Sequence, residues 1–142
     1  MRITKASAVW KGDFKNGSGV FNLPSVSQEV KYKASTRFGT ERGANPEELI
    51  AAAHAGCFSM ALSLALSEQG YEVRSISTSA EVTIEQAEGG FRISQSKLST
   101  RADIPRISEP LFLEIAEKAK NNCPVSKALS SVKISLEAHL SD

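Results

Sequence analysis

At 142 residues and 15.3 kDa the chain has the size of one domain, long enough to bury ~68–70% of the surface its unfolded form exposes, so it folds without disulfide or metal staples. Seventeen Lys plus Arg against sixteen Asp plus Glu leave a net charge of +1, which excludes the basic footprint of a nucleic-acid binder and a polyanionic tail. With 41% hydrophobic and 23% charged residues, the composition is that of a globular chain and not of a disordered one.

There are two cysteines, Cys57 and Cys123, too few for a secreted disulfide framework. The opening Met1-Arg2-Ile3-Thr4-Lys5 has no apolar stretch that would serve as a signal, so the expected address is cytoplasmic. In that reducing compartment a cysteine pair is two inert core thiols, a fragment of a metal site, or redox chemistry.

No repeat or low-complexity linker divides the sequence, and residues 1–142 read as a single domain. The first third offers three strands, Ile3 to Trp10, Gly19 to Leu23 and Val30 to Phe38, rich in β-branched and aromatic residues and separated by Gly, Asn and Asp. Asn45-Pro46-Glu47-Glu48 then combines a capping residue, a proline at the first helical position and an acidic first turn. A helix starts there, and Gly70 ends it.

From Leu49 to Leu66 that helix is almost wholly apolar or small, which predicts burial on all sides. Its length touches the lower limit for a membrane span, yet it is rich in Ala and Ser and carries His54 near its middle, and the membrane reading is rejected. Ala51, Ala52, Ala53, Ala55 and Gly56 leave little side-chain bulk, so a neighbouring backbone can approach closely.

Downstream, Ile76, Thr78, Ala80, Val82 and Ile84 alternate with polar residues, Glu88-Gly89-Gly90 turns the chain, and Phe91 to Ile104 returns as the second arm of a hairpin. Pro110 opens a helix through Lys120, Asn121-Asn122-Cys123-Pro124 breaks it and starts a short helix to Leu129, and a strand with Val132, Ile134, Leu136, Ala138 and Leu140 closes the chain. The order βββ-α-ββ-αα-β predicts an α+β domain with mainly antiparallel sheet around a long buried helix.

The cysteines lie in different local settings. Cys57 is in the middle of the apolar helix, where a thiol behaves as a small buried hydrophobe and gains nothing from the helix dipole. Cys123, followed by proline at a helix start, faces unpaired N–H groups, which favours its thiolate. His54, Cys57, Cys123 and His139 could be combined into a metal set, but the spacing matches no zinc pattern, and His54 reads better as a satisfied core or interface histidine. Phosphate loops, serine-hydrolase elbows and His-Glu-x-x-His segments are absent from the sequence, which leaves thiol chemistry and no implied cofactor.

Several segments together are specific enough to carry a family resemblance: Ala8-Val9-Trp10-Lys11-Gly12-Asp13, Thr36-Arg37-Phe38, the long block from Asn45 through Leu62 with His54-Ala55-Gly56-Cys57 at its centre, and Asn122-Cys123-Pro124-Val125-Ser126. The chain resembles the OsmC/Ohr family of thiol-dependent hydroperoxide peroxidases from end to end, and His54-Ala55 favours its OsmC branch. The resemblance implies a catalytic Cys57, a resolving Cys123, and an Arg37 and Glu47 that organise the thiolate. It also implies an intertwined homodimer with sites at the subunit interface, organic hydroperoxides preferred over hydrogen peroxide, and a dithiol reductant such as dihydrolipoamide.

On one continuous helix Glu47 and Cys57 are ~15 Å apart along the axis and cannot touch. Either the helix breaks, or Glu47 acts through Arg37, or it acts from the partner chain; the last is favoured. In the implied mechanism the Cys57 thiolate attacks the peroxide O–O bond and Cys123 resolves the sulfenic acid to a disulfide. Phe38, Phe58 and Met60 would make the surroundings apolar. The rivals are a dimeric binder of a small apolar ligand, or stress protein, without turnover, and a metal-linked structural protein.

Overall fold

The structure, a computed structural model, describes residues 1–141 and forms two units, Met1–Leu49 and the chain from Ile50 onward. In the first, β1 (Ser7–Lys11), β2 (Ser18–Leu23) and β3 (Gln28–Tyr32) make an antiparallel meander in that order. Its stability rests on aromatic side chains across one glycine. Trp10 and Tyr32 pair with Gly19 from either side, their rings lie 5.5 Å apart, and Phe21 stacks on Tyr32. A Cβ at Gly19 would sit 2.6 Å from the Tyr32 ring and 2.8 Å from that of Trp10, so the strand must carry glycine there.

The third strand ends earlier than its composition predicts. After Tyr32 the chain forms a one-turn helix, α1 (Ala34–Arg37), instead of continuing to Phe38. Thr36 is the reason: its hydroxyl accepts from the Lys33 N–H at 3.0 Å and lies 2.9 Å from the Lys33 carbonyl and 2.8 Å from that of Ala44. A buried hydroxyl that bonds locally to backbone competes with the sheet ladder, and here it wins.

Helix α2 (Pro46–Glu68) is continuous and leads from the first unit into the second. Asn45 caps it as predicted, its side-chain oxygen accepting from the Glu48 N–H at 2.9 Å, and Gly70 leaves it with a left-handed φ of 85°. Burial on all sides is not observed. His54, Phe58, Leu62 and Leu66, at four-residue spacing, are buried, whereas Ala52, Gly56, Met60 and Leu64, on another face, are exposed. The helix is long and apolar enough to cross a membrane by length and composition, but its buried stripe is the core of the second unit.

That core is completed by a sheet of β4 (Ser75–Ala87), β5 (Gly90–Asp103) and β6 (Lys133–Leu140), in that order, with α3 (Glu109–Asn122) and α4 (Pro124–Ala128) between the last two strands. The β4–β5 hairpin turns at Gly89 and Gly90, both at positive φ. Strand β6 runs parallel to β5, and the long crossover through α3 and α4 is what such a pairing requires. The α+β class and the element order hold, with the single-turn α1 added. Leu98 and Ala102 of β5, Phe112, Ile115, Ala116 and Ala119 of α3 and the three apolar residues of the α2 stripe share one core with Cys123.

Candidate active site

The second unit brings the two cysteines together. Cys57 projects from α2 at partial burial, Cys123 is fully buried at the junction of α3 and α4, and the two free thiols are close enough to perturb each other's ionisation. The break between α3 and α4 makes this possible. Pro124 cannot continue α3, so the chain restarts as α4 with Cys123 at its N-cap, and the first free N–H groups of the new helix point at sulfur. The Val125 N–H reaches both cysteines and the Ser126 N–H reaches Cys123.

The two thiols are tuned in opposite directions. Burial pushes the Cys57 thiol up and its bond to Cys123 adds to the rise, against the smaller pull of the Val125 N–H. Burial also acts to raise Cys123, but the N–H groups of Ser126 and Val125, the Cys57 thiol and the Ser126 hydroxyl together outweigh it and hold Cys123 below the ordinary thiol value. The local sequence reading of Cys123 as the more acidic thiol is therefore reproduced in the folded chain.

His54 sits one turn before Cys57 and is the satisfied core histidine that was expected. Its Nδ1 lies 2.7 Å from Ser96 Oγ and its Nε2 2.8 Å from Ser126 Oγ, and burial lowers its pKa below the ordinary 6.5. Among the described residues no group of three or more His, Cys, Asp or Glu side chains is gathered as a metal site. Ser96 and Ser126 were given no role from sequence. A serine two residues after Cys-Pro, with its side chain in the first turn of a helix, was the available signal for Ser126.

In the first unit Arg37 and Glu47 are joined by a forked ion pair, Nε donating to both carboxylate oxygens at 3.1 and 3.3 Å and one terminal nitrogen donating at 2.8 Å. Glu47 is buried and Arg37 about one-third exposed, its guanidinium 5.1 Å from the centre of the Phe38 ring. Beside Arg37 lies an apolar cavity of about 440 Å³ lined by Trp10, Phe14, Tyr32 and Ala34. Of the three residues expected to make the surroundings apolar, only Phe38 adjoins Arg37 in this way. Phe58 is wholly inside the core and Met60 projects from the exposed face of α2, because residues two apart on a helix face opposite sides.

An α+β chain with this element order, a Cys57–Cys123 thiol pair and the flanking sequence blocks belongs to the OsmC-like protein family, whose family model matches residues 39–137. The chain is 44% identical over 137 residues to peroxiredoxin OsmC of Escherichia coli K12, covering 96% of this chain and 95% of that one. It is 30% identical over 128 residues to organic hydroperoxide resistance protein OhrB of Bacillus subtilis, covering 89% and 88%. The solved organic hydroperoxide resistance protein from Elizabethkingia anophelis superposes with a TM-score of 0.74 at 25% identity, over 99% of this chain and 98% of the other.

Proposed function

We propose that the chain is a thiol-based peroxidase that reduces organic hydroperoxides, and hydrogen peroxide more weakly, to alcohols. The observation that carries this reading is the contact between two free thiols from distant parts of the sequence, one accessible and one buried. The relatives named for peroxide chemistry support it. Cys57 attacks first because it is the partly exposed thiol, whereas Cys123 has no exposed surface for a substrate to reach.

The Cys57 thiolate places an electron pair on the terminal peroxide oxygen, the O–O bond breaks, and the departing alkoxide takes a proton to become the alcohol. Cys123 sulfur then attacks the Cys57 sulfenic acid, the S–O bond breaks, and hydroxide leaves as water while the disulfide forms. A dithiol of the dihydrolipoamide class returns two electrons and two protons. Because Cys57 on its own favours the thiol, a cation must hold its thiolate, and Arg37, oriented by Glu47, supplies it across the interface of a homodimer. Both units thus serve as one functional domain, working in the reducing cytoplasm. The apolar cavity beside Arg37 accommodates the organic part of the substrate.

Treatment with one equivalent of cumene hydroperoxide followed by mass spectrometry is expected to show an intramolecular Cys57–Cys123 disulfide. Cys57→Ser is expected to abolish turnover, while Cys123→Ser still undergoes one oxidation and stops at the sulfenic acid. Turnover that survives Cys57→Ser reverses the assignment of the two thiols, and a parent protein that forms no disulfide favours a binding module without turnover.

A further inference from the structure

The buried chain Ser96–His54–Ser126 has no role in the peroxide chemistry above, yet it ends on a reacting sulfur. All three residues are almost fully enclosed, with His54 and Ser96 at 0% exposure, and they come from α2, β5 and α4. The buried side-chain nitrogens and oxygens of these three residues all have partners, and the last hydroxyl, that of Ser126, stands in the first turn after Cys123 and helps to hold its thiol below the ordinary value.

A serine hydroxyl has one proton to give, and a neutral imidazole has one donor and one acceptor nitrogen. If Ser126 gave its proton to His54, it would have none for Cys123. If instead His54 carries its proton on Nε2 and donates to Ser126 Oγ, then Nδ1 accepts from Ser96 and the Ser126 proton is released toward the sulfur. We propose that His54 and Ser126 form a hydrogen-bond relay that stabilises the Cys123 thiolate, with Ser126 the donor to the resolving sulfur and His54 the positioning residue that sets its direction. Burial keeps His54 neutral, as the relay requires.

This inference rests on the reading of Cys123 as the resolving thiol. The relay acts in two steps of that cycle, and in neither does the Ser126 proton leave its oxygen. When Cys123 attacks the sulfenic acid, the relay raises the fraction present as nucleophilic thiolate. When a dithiol attacks the disulfide at Cys57, Cys123 is the leaving group, and a stabilised thiolate leaves faster. First oxidation of Cys57 does not involve it. Of the ionisable groups on the packed elements, Cys57 faces Cys123 and His54 faces Ser126. The same elements also carry Lys120 of α3, ion-paired with Glu117, Lys118 of α3, ion-paired with Glu114, Lys97 of β5, ion-paired with Glu137, Arg92 of β5, ion-paired with Glu85, the half-buried Asp103 of β5, and the exposed Glu48 and Glu68 of α2, Arg101 of β5, Glu109 of α3 and Lys127 of α4.

The test is a pH titration of the Cys123 thiolate by its ultraviolet absorbance in a Cys57→Ser background, with the Cys57→Ser/Cys123→Ser protein as blank, which reads the relay without any peroxidase turnover. Ser126→Ala is expected to raise the midpoint by about one pH unit, leaving roughly tenfold less thiolate at a given pH. Ser126→Thr, which keeps the hydroxyl, is expected to restore the parent midpoint. His54→Gln/Ser126→Ala is expected to match Ser126→Ala alone, because His54 acts only through the hydroxyl. An unchanged midpoint in Ser126→Ala, or a double variant that shifts further than Ser126→Ala, overturns the relay. In the protein with both cysteines, Ser126→Ala is expected to slow disulfide reduction by dihydrolipoamide roughly tenfold and to leave the first oxidation rate unchanged. Turnover surviving in Cys57→Ser would overturn the peroxidase assignment while the titration still decides the relay.

Discussion

Glu47 has little exposed surface, and its carboxylate is spent on holding the Arg37 fork. Replacement by Gln keeps an acceptor oxygen but removes the charge that fixes the guanidinium. Glu47→Gln is expected to slow the first oxidation of Cys57 by roughly 10- to 100-fold, through misplacement of the cation, and to leave closure of the disulfide unaffected. Rapid-mixing kinetics that separate sulfenic acid formation from disulfide formation check this. The buried His54 makes folding pH-dependent. The unfolded chain binds a proton at His54 near pH 6.5 and the folded chain resists it, so His54 contributes stability above that pH which is lost as the pH falls below it. The loss is at most about 1.4 kcal/mol per pH unit for one proton. His54→Gln is expected to flatten this limb in urea unfolding curves measured at about pH 7 and about pH 5, and identical slopes in the two proteins would contradict it.

Helix α2 carries two different faces that its composition conceals. The stripe of His54, Phe58, Leu62 and Leu66 closes the core against β5 and α3, whereas Gly56, Met60 and Leu64 are exposed. Leu62→Ala is expected to cost about 2–5 kcal/mol in unfolding free energy, the usual range for a large-to-small change at a sealed core site. The helix itself, its cap at Asn45 and its stop at Gly70 were legible, because caps and glycine act on the nearest turn. Its uniform apolarity gave no period from which to separate the faces. In the same way, local composition carries the third strand past its real end at Tyr32, because the hydroxyl of Thr36 finds Ala44 only after the intervening loop has folded. The parallel direction of β6 was not legible, because alternation alone does not distinguish a parallel strand from an antiparallel one.

The exposed apolar face of α2 fits the proposed homodimer: a stripe of small residues and large apolar ones that a second chain would bury. Met60 is 76% exposed and Leu64 61%, so Met60→Glu/Leu64→Glu is expected to leave the fold of one chain intact while sedimentation reports a monomer with little peroxidase activity. A double variant that remains a dimer with full activity removes this face from the interface.

The α+β class and the position of the long helix are written in the amino-acid sequence, and its resemblance to the family singles out Cys57, Cys123, Arg37 and Glu47. The sequence also determined the acidic character of Cys123, since a proline and the N–H groups of the next turn are local. Folding in three dimensions brings the two sulfurs together, locks Arg37 to Glu47, and sets His54 between Ser96 and Ser126. Each of those contacts joins residues separated by a turn, a helix or a whole hairpin, and hydrogen bonds and desolvation act over a few ångströms of space regardless of distance along the chain.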